Sequence, residues 1–210
     1  MPSISSSQLI NITVGGAAGG KNAAGFGISV NTIQNTTEAV ISGTSVVDAS
    51  GVVTISSIDS SVIDALAFGG AAGGDVAGGG AIAANVITNT IRTTIDGSTV
   101  TSDSNVTLDS LSSAIIRALA IGVSGGGKAA VSVSALGNGV ANTVTAQVKN
   151  STVTAGGDLG VTARDVAPSV LPSWMLSSDK QAQLDSALAD SPIALDANIL
   201  AIMVSVAGSG

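Results

Sequence analysis

The chain has 210 residues with a formal net charge of −7, which argues against a nucleic-acid partner because phosphate binding needs clustered Lys and Arg. There are no Cys and no His, which excludes disulfides, thiolate nucleophiles, imidazole bases and the commonest zinc ligands. With two Phe, one Trp and no Tyr, any core must be built from Val, Ile, Leu and Ala.

The two ends of the chain carry no membrane or export signal. The N-terminal MPSISSSQLI has neither a basic start nor an apolar run of useful length, so no signal peptide is visible. The longest apolar stretch, roughly 197–207, is interrupted by Asn198 and Ser205 and is shorter than the ~18–20 residues of a membrane span. We expect no membrane insertion, and a secreted protein would require this chain to be an excerpt of a longer one.

One motif recurs along the chain at a nearly constant interval. NTIQNT (31–36), NVITNT (85–90) and NGVANT (138–143) lie 54 and 53 residues apart, and INITVGGAAGGK, DALAFGGAAGGD and RALAIGVSGGGK precede them at the same offsets. Such self-similarity is the sequence signature of a repeat architecture. It predicts one domain over 1–210, with units at 5–59, 60–112 and 113–167, an insert at about 168–197 and a partial fourth unit at 198–210.

Within a unit the hydrophobic period is two, which is typical of strands with one buried face. In the third unit we expect these residues to point inward: Leu119, Ile121, Val123, Val131, Val133, Val144, Ala146, Val148, Val153, Leu159, Val161 and Ala163. Strands joined by short turns and repeated at a fixed length predict an all-β solenoid of ~54-residue repeats. Since a unit exceeds one typical coil, we expect two or three coils per unit and a rod of about 30–45 Å.

The repeated Asn pairs are predicted to form a structural ladder. Asn tolerates left-handed turns and can hydrogen-bond to identical neighbours, so an Asn at each solenoid corner would satisfy the turn backbone. The alternative is a sugar or metal site, but no acidic or aromatic neighbour indicates either ligand. The predicted ladder residues are Asn31, Asn35, Asn85, Asn89, Asn138 and Asn142.

Two Gly-rich runs before Lys imitate a phosphate-binding loop. GGAAGGK and GVSGGGK fit G-x-x-x-x-G-K, but a genuine loop continues with Ser or Thr and opens a helix. Here Asn22 and Ala129 follow, and Asp75 replaces the Lys in the second unit. We interpret these lysines as solvated loop tips and predict no cofactor.

The carboxylates do not indicate an active site. Hydrolysis of a polysaccharide needs two carboxylates held across a cleft, and we expect most of the repeat carboxylates to lie at turns. The calcium-binding nonapeptide G-G-x-G-x-D-x-U-x is absent. We therefore predict neither an enzyme nor a metal site, and name no catalytic residue among Glu38, Asp48, Asp59, Asp96, Asp103, Asp109 and Asp158.

The insert differs from the repeats. It contains the single Trp, a Ser178-x-x-Gln181 capping box, and Leu184 and Leu188 at helical spacing. We predict a short amphipathic helix of about three turns. Its apolar residues either cover an exposed seam of the solenoid or contact a partner, since Trp is a strong interface residue; the candidates are Trp174, Met175 and Leu176.

The unit SSAIIRALAIGVSGGGKAAVSVSALGNGVANTVTAQVKNSTVTAGGDLGVTARD resembles the repeats of large Gram-negative surface proteins, the leukotoxin-type filamentous adhesins and filamentous haemagglutinin-like proteins. The resemblance covers nearly the whole chain, and PSWMLSSDKQAQLDSALA is similar to an element found between such repeats. It implies an extracellular right-handed parallel β-helix that serves as a stalk or adhesive fibre, with a host-cell or matrix receptor that no residue identifies.

Two functions follow as hypotheses. The first is a structural or adhesive module of a secreted surface fibre, and the alternative is a carbohydrate-active β-helix that degrades polysaccharide. No capping segment is recognisable at either end, and natural solenoids cover exposed strand edges. We therefore also expect the chain to associate with itself end to end.

Overall fold

The structure is a computed structural model that describes residues 1–167 and 197–210, and within them it is entirely β. The strands of the first coil are β1 (Pro2–Gly19), β2 (Asn22–Ile33), β3 (Thr36–Ile41) and β4 (Val46–Ala49). The second coil has β5 (Val53–Gly73), β6 (Val76–Ile87), β7 (Thr90–Asp96) and β8 (Thr99–Ser102). Then follow β9 (Val106–Gly126), β10 (Ala129–Val140), β11 (Thr143–Lys149), β12 (Thr152–Ala155), β13 (Leu159–Val166) and β14 (Ile199–Ser209).

The strands stack into four parallel sheets, which confirms the predicted all-β solenoid. Sheet A contains β1, β5 and β9, followed by β13 and β14, which both pair with β9. Sheet B contains β2, β6 and β10, sheet C contains β3, β7 and β11, and sheet D contains β4, β8 and β12. Each strand therefore pairs with the equivalent strand of the next unit.

The register shows that each unit forms one coil. Asn31 pairs with Asn85, which pairs with Asn138, so neighbouring strands are offset by the length of the sequence repeat. The prediction of two or three coils per unit was therefore wrong, as was the rod derived from it. The physical reason is strand length: β5 is one continuous strand of 21 residues, or about 70 Å, and strands this long occupy the whole unit in a single coil. The stacked strands of sheet A therefore span only about 14 Å along the axis.

Each coil is flattened, with sheet A packed against the other three sheets. Ile63 of β5 shares a buried cluster with Ile33 and Ile87 of sheet B. Further along the same strand, Ile55 packs with Ile95 of sheet C and Val100 of sheet D. The part of the coil in which sheet A packs on sheets C and D therefore has an aliphatic core. We call this part the wide half (residues 1–8, 34–62, 88–115 and 141–166).

The rest of the coil is a thin layer, which we call the blade (residues 9–33, 63–87, 116–140 and 199–209). Next to the wide half the blade still encloses the aliphatic cluster that contains Ile63. Beyond that cluster its core consists of Ala67, Ala81, Ala83 and Ala120. At Gly69 even an alanine is too large, because a Cβ added there would overlap the backbone carbonyl of Gly80. Glycine is needed at such positions because the two sheets approach one another closely.

The blade reverses the predicted orientation of its large side chains. Ala118, Ala120 and Ser124 of β9 point inward and are buried, whereas the alternate residues point outward. The inward prediction was therefore wrong for Leu119, Ile121, Val123, Val131 and Val133. In the wide half the prediction agrees for Ala146, Val148 and Val153, which pack against the aliphatic core, whereas the predicted inward residues of β13 are exposed: Leu159, Val161 and Ala163. Beyond the Ile63 cluster the two sheets are so close that only small residues fit between them, so the larger ones face outward.

The fourth strand position of sheet A is shared by β13 and β14. Val166 pairs with Ser113 and Ile199 pairs with Ile116, so the chain leaves and re-enters sheet A at neighbouring positions. Ala201 is in register with Ala118, which is in register with Ala65, as the sequence alignment of the partial fourth unit indicated. The predicted helix and Trp174, Met175 and Leu176 lie outside the described residues.

Candidate functional site: a polar seam inside the coil

The first Asn of each pair lies inside a strand of sheet B and points inward. Asn31 Nδ2 donates to Asn85 Oδ1 at 2.7 Å, and Asn85 Nδ2 donates to Asn138 Oδ1 at 2.7 Å. Asn11 of β1 joins them from the opposite sheet by donating to Asn31 Oδ1 at 2.7 Å. One amide chain therefore runs along the axis through successive coils and also links sheet A to sheet B.

The second Asn of each pair lies at the bend between two strands. Asn89 Oδ1 accepts the backbone N–H of Asn35 at 3.0 Å, and Asn142 Oδ1 accepts the backbone N–H of Asn89 at 3.2 Å. Each side chain thus satisfies an amide of the preceding coil at a point where the strand ladder is interrupted. A residue without a carbonyl in its side chain would leave that amide unpaired.

One of the carboxylates that we expected to lie mostly at turns is found inside the coil. Asp59 is in the middle of β5 and is fully buried. Asn89 Nδ2 donates to its Oδ1 at 2.7 Å, Asn35 Nδ2 donates to its Oδ2 at 3.0 Å, and the Ser61 hydroxyl donates to Oδ1 at 2.8 Å. Buried charge is costly unless it is hydrogen-bonded, and these three donors supply that compensation.

The equivalent place in the next coil has a different arrangement. Asn142 Nδ2 donates to the Ser112 hydroxyl at 2.9 Å and lies within 3.4 Å of the Asp165 carboxylate. Ser112 occupies the position of Asp59, and Asp165 is one coil further on. The Asn is therefore the same in each coil, whereas the group that accepts its hydrogen bond changes from Asp59 to Ser112 and Asp165.

Hydroxyl groups extend this polar layer further into the wide half, away from the blade. Thr93 Oγ1 donates to the backbone oxygen of Asp109 at 2.9 Å and receives the Ser110 hydroxyl at 2.9 Å. Ser57 donates to the backbone oxygen of Arg92 at 2.8 Å. We call the whole layer the polar seam. Its members are Asn11, Asn31, Asn35, Asp59, Ser57, Ser61, Asn85, Asn89, Thr93, Ser110, Ser112, Asn138 and Asn142.

Two details of the ladder prediction were wrong. The Asn residues do not adopt left-handed backbone conformations, because the described non-glycine residues with positive φ are Thr44 and Asn150. The first Asn of each pair is also not at a corner.

A signal for Asp59 was present in the sequence, since the Ser-rich stretches SISSSQ, SSIDSS and LDSLSS recur at one place in the repeat.

Surface charges pair across neighbouring coils. Arg117 donates through Nε and Nη2 to both oxygens of Asp64, at 2.5 and 2.9 Å. Arg92 Nη1 lies 2.9 Å from Glu38 Oε1. Each partner occupies the equivalent position of the next unit, so these pairs favour the observed register.

The Gly-rich runs do not form a phosphate-binding loop in the structure. Strand β10 begins directly after Lys128, where such a loop would open a helix. Lys128 Nζ lies 3.0 Å from Asp75, so the exchange of Lys for Asp between units produces an ion pair. Within 1–167 and 197–210 no three acidic side chains are grouped as metal ligands, and no helix could cross a membrane.

Comparisons with family models, curated proteins and solved structures give no match. The Asp59 carboxylate is fully buried and is held by amide and hydroxyl donors. Such an arrangement fixes the alignment of adjacent coils, because a shift of one residue along a strand would separate every amide from its acceptor.

Proposed function

We propose that this chain is a structural and adhesive repeat module of a large secreted bacterial surface fibre. The observation that supports this most directly is the common register of the sheets. Strands of sheets B, C and D pair at an offset of one repeat, so each further unit adds one coil without altering the others. A chain of such units is a scaffold whose length depends on the number of repeats.

The proposed extracellular location depends on the resemblance to filamentous adhesins. The composition agrees with it, because a surface fibre needs no reactive thiol and this chain has no Cys. Contacts with a receptor would be made by outward-facing side chains of the coils. No residue of the described part identifies that receptor.

End-to-end association is part of the proposal. In the described residues, β2, β3 and β4 pair on one side only, as do β10, β11 and β12 at the other end. Free strand edges pair readily with further strands. Because all coils share one register, the last coil of one copy is shaped to pair with the first coil of another.

The alternative function, degradation of polysaccharide, has less support. It needs two carboxylates that flank a cleft. In the part of the chain that the structure describes, Asp59 is sealed in the seam, and these carboxylates are paired with Arg or Lys: Glu38, Asp64, Asp75 and Asp109.

Antibody labelling of the producing bacterium tests the proposal. Antibodies against this chain should bind intact cells and decorate thin fibres in electron micrographs of the purified parent protein. Labelling that appears only after the cells are permeabilised, or a globular parent, would overturn it. Release of reducing sugar ends from bacterial or host polysaccharides by the purified chain would favour the alternative.

A further inference from the structure

We infer that the outer face of sheet B binds the same face of a second copy of this chain, so that copies pack side by side. This inference is independent of the proposed extracellular role. It begins with the side chains that point outward from β2, β6 and β10. They are Asn22, Ala24, Phe26, Ile28, Val30, Thr32, Val76, Gly78, Gly80, Ile82, Ala84, Val86, Ala129, Val131, Val133, Ala135, Gly137 and Gly139.

This face carries no charge across its three strands and only two polar side chains, Asn22 and Thr32. Its large apolar residues are widely accessible: Ile28 is 63% exposed, Val30 72% and Val131 61%. Monomeric proteins seldom expose a contiguous apolar patch of this kind, and such patches mark interaction sites. Sheet C, the neighbouring sheet, presents Glu38, Arg92 and Gln147 at its outer face instead.

The distribution of charge favours a second copy as the partner. The described charges of the blade are Lys21, Asp64, Asp75, Arg117 and Lys128, three cations against two carboxylates. The wide half has three cations, Arg92, Lys149 and Arg164, against the carboxylates of Glu38, Asp48, Asp59, Asp96, Asp103, Asp109, Asp158 and Asp165. Two copies that meet through their blades keep the acidic wide halves apart, which limits the repulsion expected from a net charge of −7.

The same charges disfavour a membrane as the partner. Bacterial lipid surfaces are negative and attract basic segments, but sheet B presents no Lys or Arg outward and the chain is acidic. The outer face of sheet A is also apolar, through Ile12, Leu66, Leu119 and Ile202. Unlike sheet B, however, sheet A also presents charge at this face, since Asp64 and Arg117 lie among these apolar side chains.

The area of the face sets the expected strength. Strands of 12 residues are about 40 Å long and three of them are about 14 Å wide, which gives about 550 Å². A stable interface buries about 800 Å² on each partner. Three coils should therefore associate weakly, and each further coil would add about 190 Å², so the lateral contact strengthens with the number of repeats.

A matched pair of charge substitutions tests the inference by sedimentation velocity over a wide concentration range. Ile28→Lys lies on the face, and Val46→Lys lies in the same coil on an outward position of β4, at 77% exposure. Wild type and Val46→Lys should show a concentration-dependent dimer. Ile28→Lys should weaken it at least about tenfold, because a buried Lys loses its hydration. A wild type that remains monomeric throughout, or equal association of both variants, overturns the inference.

Cross-linking separates this contact from end-to-end pairing. The chain has no Cys, so Ile82→Cys on the face and Val40→Cys on the outer side of β3 each introduce a single thiol. A short bis-maleimide should produce covalent dimers of Ile82→Cys and not of Val40→Cys. If wild type associates but neither variant is cross-linked, the copies meet end to end and the inference fails.

Sedimentation with lipid vesicles tests whether the face binds a membrane instead. Wild type should not sediment with phosphatidylcholine vesicles, nor with vesicles that contain phosphatidylglycerol. Sedimentation with either kind of vesicle that Ile28→Lys abolishes and Val46→Lys retains would assign the face to lipid and overturn the inference.

Discussion

The wide half and the blade are formed by the same strands of sheet A, yet they distribute side chains in opposite ways. In the wide half, Ile55 and Ile95 are buried between the sheets, and the charged residues other than Asp59 and Asp165 lie on the outer side. In the outer part of the blade, beyond the cluster of Ile63 and Ile87, Gly and Ala are enclosed while Phe26 and Ile28 point outward. The distance between two sheets, set by the smallest residues between them, therefore decides which face of an alternating strand is interior.

The largest expected effect is at the narrowest part of the blade. Gly69→Ala places a Cβ on the carbonyl of Gly80, which is backbone and cannot move aside as a side chain does. We expect a loss of at least about 3 kcal/mol in the free energy of unfolding. The matched control is Gly78→Ala, which has open space around its Cβ and should change stability by less than about 0.5 kcal/mol. Urea denaturation followed by circular dichroism measures both, and similar values for the two would refute the close approach of the sheets.

The next effect concerns the aliphatic core of the wide half. Ile95→Ala removes a fully buried side chain and should cost about 2–4 kcal/mol through lost burial and the cavity that remains. Ile28→Ala, at an outward blade position, should cost less than about 1 kcal/mol in the monomer. Thermal and chemical denaturation at low protein concentration compare the two. A larger cost for Ile28→Ala would mean that the blade interior has been assigned to the wrong face.

The polar seam between the two halves should show an intermediate effect. Asn89→Leu removes two donors, to Asp59 and Ser61, and the acceptor for the Asn35 amide. We expect a loss of about 1–3 kcal/mol, because groups left unpaired in the interior lose their hydration without compensation. The same exchange at exposed Asn22 is the control and should be nearly neutral. Equally small effects of the two substitutions would contradict a structural role of the polar seam.

The smallest effect is expected at the tip of the blade. Lys128→Ala breaks an ion pair with Asp75, but the Lys side chain is 74% exposed and solvent screens the interaction. We expect the free energy of unfolding to change by less than about 0.5 kcal/mol. Titration calorimetry with ATP should detect no binding in either wild type or variant, since β10 begins where a phosphate-binding loop needs a helix. ATP binding by wild type that is lost in the variant would contradict this account.

The repeat and its strands could be predicted from the sequence because stacking in register requires chemically similar residues at one position. The spacing of Asn31, Asn85 and Asn138 is the coil-to-coil offset. The number of coils per unit could not be derived from the period alone. It depends on where strands end, and the stretch from Val53 to Gly73 is one continuous strand although its end is Gly-rich.

Orientation and the polar seam were harder to predict for physical reasons. Alternation shows that two faces differ but does not show which one is enclosed, and the usual assumption that large residues are enclosed fails in the blade. The Gly-rich runs that precede Lys21 and Lys128 were the available signal of close sheets. Asp is common at turns, so the sequence did not single out Asp59 as a buried residue. Its amide partners lie 24 and 30 residues away in sequence.

Spin-label distances on the outer side of sheet C test the central claim, one coil per unit. Thr36, Thr90 and Thr143 are in register on adjacent strands. Nitroxides at 36 and 90 should have backbone attachment points about 5 Å apart, and those at 36 and 143 about 10 Å apart, so both pairs should show strong dipolar broadening in electron paramagnetic resonance spectra. Two or three coils per unit would place the second pair about 20–30 Å apart, and a resolved distance in that range would contradict the account.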